Sequence, residues 1–168
     1  LNMTITYRDQ TILQPTDDPR DITTKRQSQT FFNTNLGQGD ELADYTYNFA
    51  NDGSTVKTVS INLYTQNQLL AKDVLASDIP NLTRSDSFKA GTYLTAITAA
   101  RRSSTFFKGG EPGDEVADYS LNYKLGSGTT VRSTSVNFYQ QGVNLVRALQ
   151  AVSGTDALKL SVSYRGDK

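Results

Sequence analysis

The chain has 168 residues and balances 17 Lys and Arg against 17 Asp and Glu, so no global basic field draws it to nucleic acid or an anionic membrane. It contains no Cys, His or Trp, which excludes disulfides, thiolate zinc sites and nucleophiles built on Cys or His. No apolar run is long enough to span a bilayer as a helix.

The chain begins at Leu1 rather than Met, which is read as a trimmed precursor, either by removal of a secretory signal or by cloning of a fragment. Residues 2–8 alternate, with Met3, Ile5 and Tyr7 on one face and Thr4, Thr6 and Arg8 on the other, the pattern of a half-buried strand. Residues 14–21 hold two prolines and three aspartates and read as a loop. A Thr-rich strand over 22–32 ends in Phe31-Phe32, and a Gly/Asn loop follows over 33–40. Ala43, Tyr45, Tyr47 and Phe49 then alternate with Asp44, Thr46 and Asn48. After the turn Asn51-Asp52-Gly53-Ser54, Val59, Ile61 and Leu63 alternate with Thr58, Ser60 and Asn62. Together these make a β-hairpin with one apolar face and one Thr/Ser/Asn face. Leu70, Val74 and Leu75 follow an i, i+4, i+5 spacing that predicts a short helix over 66–77, ended by Pro80.

The same text then returns. RQSQTFF…GDELADYTYNF in residues 26–49 becomes RSSTFF…GDEVADYSLNY up to residue 123. Ser85-Asp86-Ser87-Phe88-Lys89 stands where Thr4-Ile5-Thr6-Tyr7-Arg8 stood. Ala96 to Phe107 reads as the Thr/Ser-rich strand. Ala117, Tyr119, Leu121 and Tyr123 face Thr134, Val136 and Phe138. A second helix is predicted over 141–153, with Leu145, Val146, Leu149 and Val152 inward and Gly154 as its stop. Leu158, Leu160, Val162 and Tyr164 form one face of a last strand, a third version of the opening one. The copies differ in length only before Gly39 and Gly113 and in the turn before Gly128, where loops absorb insertions without flipping a strand's faces. The predicted fold is therefore α+β. Two tandem repeats, residues 1–84 and 85–168, each run roughly β-β-β-α-β, with antiparallel sheets and short helices related by internal pseudo-symmetry.

Four sets of residues invite a functional reading. Asp40, Glu41 and Asp44, with Asp114, Glu115 and Asp118, form two acidic loops. Solvated turns are the ordinary reading, and a calcium site made of clustered carboxylates is the functional one, although the spacing fits no EF-hand. Lys25-Arg26 and Arg101-Arg102 precede each Phe-Phe, as solvated edge charges or as contacts to a neighbour's acidic loop. The aromatic set follows the core parity, except for Tyr64 and Tyr139. The Thr/Ser/Asn ladder is a solvent face or a contact surface. Asn2-Met3-Thr4 and Asn81-Leu82-Thr83 are glycosylation sequons. No nucleophile elbow, phosphate loop or dinucleotide fingerprint occurs.

The expectation is a non-enzymatic structural protein without a resident cofactor, whose partners are other copies of itself. It would be a subunit of an extracellular filament, surface layer or virion. Strand addition would join subunits through Met3, Ile5 and Tyr7 or Leu160, Val162 and Tyr164, since the opening strand appears three times for two units. The alternative is a binding module for single-stranded nucleic acid or carbohydrate, using basic residues beside aromatics.

Overall fold

The computed structural model describes residues 2–8, 26–89, 91–96, 98–109, 111–151 and 155–166. The expected loop at 14–21, the start of the 22–32 strand, Lys25, Val152 and Gly154 lie outside them. Strand residues account for 55% of what is described, enough to set the fold class as all-β.

The strands are β1 (Met3–Tyr7), β2 (Arg26–Asn33), β3 (Leu42–Phe49), β4 (Val56–Tyr64), β5 (Leu69–Leu70), β6 (Leu82–Phe88), β7 (Arg101–Lys108), β8 (Val116–Tyr123), β9 (Val131–Gln141), β10 (Asn144–Val146) and β11 (Ala157–Arg165). All belong to one antiparallel sheet. Its main path runs β1-β2-β3-β4-β6-β7-β8-β9, and β11 pairs with β9. The two short strands fold back on strand ends: β5 on Leu63 and Tyr64 of β4, β10 on Tyr139 to Gln141 of β9. The boundary expected between residues 84 and 85 falls inside β6, which pairs with β4 on one side and β7 on the other.

The α+β expectation is overturned. Where helices were predicted over 66–77 and 141–153, the described residues, 66–77 and 141–151, form strand stubs and tight turns. Only the 3-10 turn Ala71–Asp73 and one four-residue helical turn, α1 (Tyr93–Ala96), are present among the described residues. The cause is an open ladder. β3 pairs with β4 only as far as Ile61, while β6 continues to Tyr64, so backbone groups at Leu63 and Tyr64 lack a neighbour until β5 supplies one. Thr65 and Gln68 adopt positive φ to make that return, and in the second copy Gly142 (φ +60) turns β9 into β10. The apolar residues that suggested helices do not share a buried stripe, since Leu75 is 65% exposed and Leu149 80%. The strand read from Ala96 begins instead at Arg101, after α1.

Alternation sorts the side chains by face. Met3, Ile5, Phe31, Tyr45, Tyr47, Val59, Ile61, Phe106, Tyr119, Leu121, Val136 and Val162 share one face by register. Thr4, Thr6, Ser28, Thr30, Thr46, Asn48, Thr58, Ser60, Ser85, Ser87, Ser103, Thr105, Ser120, Asn122, Ser133, Ser135, Ser161 and Ser163 share the other. The polar face carries cross-strand hydrogen bonds at Thr30–Thr46 and Thr105–Ser120 (both 2.9 Å) and at Ser135–Ser163 (2.8 Å). Phe31 stacks on Tyr45 at 4.7 Å and Phe106 on Tyr119 at 4.5 Å, the same pair in each copy.

The larger apolar cluster lies at the junction of the two copies. Val59, Ile61 and Phe88 are buried together with Ala96 of α1, whose Tyr93 stacks on Tyr45 at 4.6 Å. A smaller cluster, Tyr64, Ala71 and Val74, lies under the β5 return with Leu36 and Leu42. Tyr64 and Tyr139, the rings off the core parity, are both buried and do the same work. Each donates to the carbonyl of the alanine second in the neighbouring strand, Tyr64 to Ala43 at 2.7 Å and Tyr139 to Ala117 at 2.6 Å. Asn62 and Asn137 donate to the same carbonyls at 3.0 and 3.1 Å. Burial pushes the Tyr64 hydroxyl up to about 12, so it remains a donor across the ordinary pH range.

This tie predicts that Tyr64→Phe, which keeps the packing and deletes one donor, lowers unfolding stability by about 1 kcal/mol in chemical denaturation, with an unchanged denaturant slope.

Candidate functional site

Three regions carry the residues singled out in the sequence: the joint between the repeats, the acidic loops, and the two edges of the sheet.

At the joint, β6 carries Arg84, Asp86 and Phe88 on the face where β1 carries Met3, Ile5 and Tyr7. Asp86 is buried and sits at the centre of a polar cluster. Ser104 donates to it at 2.6 Å, and Arg84 and Arg101 approach at 3.0 and 3.6 Å. Tyr123 donates to Ser104 at 3.1 Å. Taking a carboxylate out of water is costly, and these partners offset that cost. Arg101 also lies over the Tyr123 ring at 5.3 Å, as Arg26 lies over Phe49 at 4.5 Å. Arg26 donates to the Gly53 carbonyl at 3.0 Å, tying the start of β2 to the β3–β4 turn. At the equivalent turn, Gly128 (φ +66) leaves only 2.9 Å between an added Cβ and the Arg101 amide, so glycine is required there. Both basic residues thus face inward partners on their own repeat.

The acidic loops separate their carboxylates. Asp40 and Asp114 are exposed. Glu41 accepts from the Gly39 amide at 3.3 Å, and Glu115 from the Gly113 amide at 2.9 Å and from the Leu82 amide at 2.8 Å. Asp118 is buried and paired with Arg147 at 2.8 Å. Its counterpart Asp44 has no such arginine. Its Oδ1 is buried without a hydrogen-bond partner, and burial pushes its carboxyl above the ordinary range. Among the described residues, no group of three acids stands close enough to hold a metal ion.

The basic residues also line a groove. Lys89, Arg101, Arg102, Lys124 and Arg132 surround a cleft of about 610 Å³ with Tyr123, and no acid lines it among the described residues. The repeat-equivalent cleft, about 560 Å³, is lined by Arg8, Phe49 and Lys57. Thr58 lines both, so the two meet on the Ser/Thr/Asn face. This grouping escaped the sequence reading because its cations come from four separate segments.

The third region is the pair of edges. β1 begins the main path and β11 flanks its last long strand, β9, and neither takes a second strand among the described residues. The middle version, β6, takes one on each side. Met3, Ile5 and Tyr7 lie at one edge and Leu160, Val162 and Tyr164 at the other. Leu160 is 42% exposed and Tyr164 40%.

The raised Asp44 carboxyl, with its buried Oδ1, has a pH signature. A carboxyl whose folded pKa lies above its unfolded value supports folding fully below the unfolded value and loses that support as pH rises through the folded one. Asp44→Asn is expected to melt higher than the parent at pH 7, and the difference is expected to vanish in thermal scans near pH 3.

No family model, no curated protein and no solved structure matches this chain, so its site is described by geometry alone.

Proposed function

We propose that this chain is a non-enzymatic structural protein that acts through self-assembly, as a subunit of an extracellular filament, surface layer or virion, with strands added between subunits. The observation that supports this is the recurrence of one strand text in both outer strands of the described sheet and at its centre, where it is paired on both sides. An edge of unpaired N–H and C=O groups is a template for another chain. β11 does little to block such pairing, since alternate residues Leu160, Val162 and Tyr164 are apolar. Among the described residues, no helix is long and apolar enough to cross a membrane. Purified chain examined by negative stain and light scattering over a range of concentrations should give regular particles that grow above a threshold. A monodisperse monomer at every concentration refutes the proposal.

A second reading, a module for single-stranded nucleic acid, is favoured by the basic groove, where exposed Lys89, Arg102, Lys124 and Arg132 surround Tyr123. Phosphates held by these cations would supply the electrostatic part of such binding. This reading predicts binding of a fluorescent oligothymidylate that weakens steeply with salt and falls at least about tenfold in Lys124→Ala/Arg132→Ala. Binding indifferent to both counts against it.

A further inference from the structure

We infer that β11 of one copy can take the place of β1 in the next, pairing with that copy's β2 while remaining on its own β9, so that copies join by strand exchange rather than by edge-to-edge contact. This deepens the self-assembly reading and rests on it.

The register carries the argument. On β2, Met3 faces Phe31, Ile5 faces Gln29, Thr6 faces Ser28 and Tyr7 faces Arg26. On β7, Arg84 faces Phe106, Asp86 faces Ser104, Ser87 faces Ser103 and Phe88 faces Arg101. β1 and β6 therefore occupy the same seat on equivalent strands. On the opposite side, β6 sets Phe88 against Val59, Ser87 against Ser60 and Asp86 against Ile61. β11 sets Tyr164 against Thr134, Ser163 against Ser135 and Val162 against Val136. β6 and β11 thus share the other seat. β6 is the one strand that fills both, and it shows that a strand of this text can hold both neighbours at once.

Transferring β11 to β2 by the same register puts Leu160 against Phe31, Val162 against Gln29, Ser163 against Ser28 and Tyr164 against Arg26. Those are the positions of Met3, Ile5, Thr6 and Tyr7. The two outer strands match in chemistry at every one of these places: Met-Thr-Ile-Thr-Tyr-Arg in 3–8 and Leu-Ser-Val-Ser-Tyr-Arg in 160–165. The interior strand differs at the two that matter, with Arg84 for Met3 and Leu160, and Asp86 for Ile5 and Val162.

Direction favours exchange over simple contact. The path from β1 to β11 crosses eight antiparallel ladders, so the two outer strands point the same way. Copies stacked side by side by translation would meet in a parallel pair, which the sheet uses nowhere. Exchange keeps every ladder antiparallel. It is β1 that gives way, because its ladder has five residue pairs against eight for β11. Each copy then adds eight strands to a continuous sheet, a repeat of about 38 Å at the usual strand spacing.

Two measurements on the full chain decide it. Because the protein has no cysteine, Ser28→Cys and Ser163→Cys can be mixed as single variants under mild oxidation. Exchange yields a disulfide between residue 28 of one copy and residue 163 of another. A Ser163→Cys homodimer in its place, or no cross-link in assembled material, overturns it. In parallel, Ile5→Asp loosens the strand that must leave and should lower the assembly threshold at least about threefold. Val162→Asp spoils the strand that must bind and should raise it. Edge-to-edge pairing makes both substitutions inhibitory. Assembly with the wrong cross-link removes exchange alone, whereas a chain that never assembles removes self-assembly with it.

Discussion

An antiparallel sheet that does not close on itself must end in two strands whose outward backbone groups face solvent, and this constraint governs the molecule. Barrels remove their edges, and many sheets cover them. Here, among the described residues, the ladder sequence stops at β1 and β11. The ties described above, Tyr64 and Tyr139 on alanine carbonyls and Arg26 on the Gly53 carbonyl, all fix one strand to the next. Others skip a strand: Glu115, just before β8, accepts from the Leu82 amide of β6, and Tyr93 of α1 stacks on Tyr45 of β3. The ladders themselves pass order from neighbour to neighbour, and a further strand at either end would be held by the same kind of ladder.

The two faces divide the remaining work. Among the described residues, the largest apolar cluster on this face lies over β3, β4 and β6, where α1 covers Val59 and Ile61. In the second copy the corresponding positions are Thr134 and Val136, and the face remains partly open as far as Leu160 and Tyr164. The polar face is tied by Ser, Thr and Asn side chains that hydrogen-bond across strands. Such a face stays wet without losing order, which suits a sheet with solvent on one side.

Most of the strand framework was legible in the sequence because period-two alternation is a local signal. The pairs Tyr45–Ile61 and Tyr119–Val136 follow directly from the parity read in each hairpin. The repeat fixed the equivalences, and both length differences between the copies fall outside strands. The helices were misread for a non-local reason. Leu70, Val74 and Leu75 have helical spacing, but the backbone there answers an unfilled ladder on Leu63 and Tyr64, and only the pairing of β3 with β4 reveals that vacancy. Tyr64 and Tyr139 depart from the core parity yet are buried, and no period-two pattern places them inside. Asp86 was visible as a residue but not as a buried one. Its burial depends on Arg84, Arg101 and Ser104 converging from two strands, and no window of sequence contains that convergence.

The charges on β6 also bear on how the chain finds its fold. Three segments of nearly the same text compete for seats that are geometrically alike, and a collapsing chain could place the wrong one at the centre, shifted by a whole repeat. A misplaced β1 or β11 would bring Ile5 or Val162 against Ser104 and leave Arg101 without its carboxylate. Asp86 therefore acts as an address that only the middle segment carries, and it makes the one-repeat slip a poor kinetic trap.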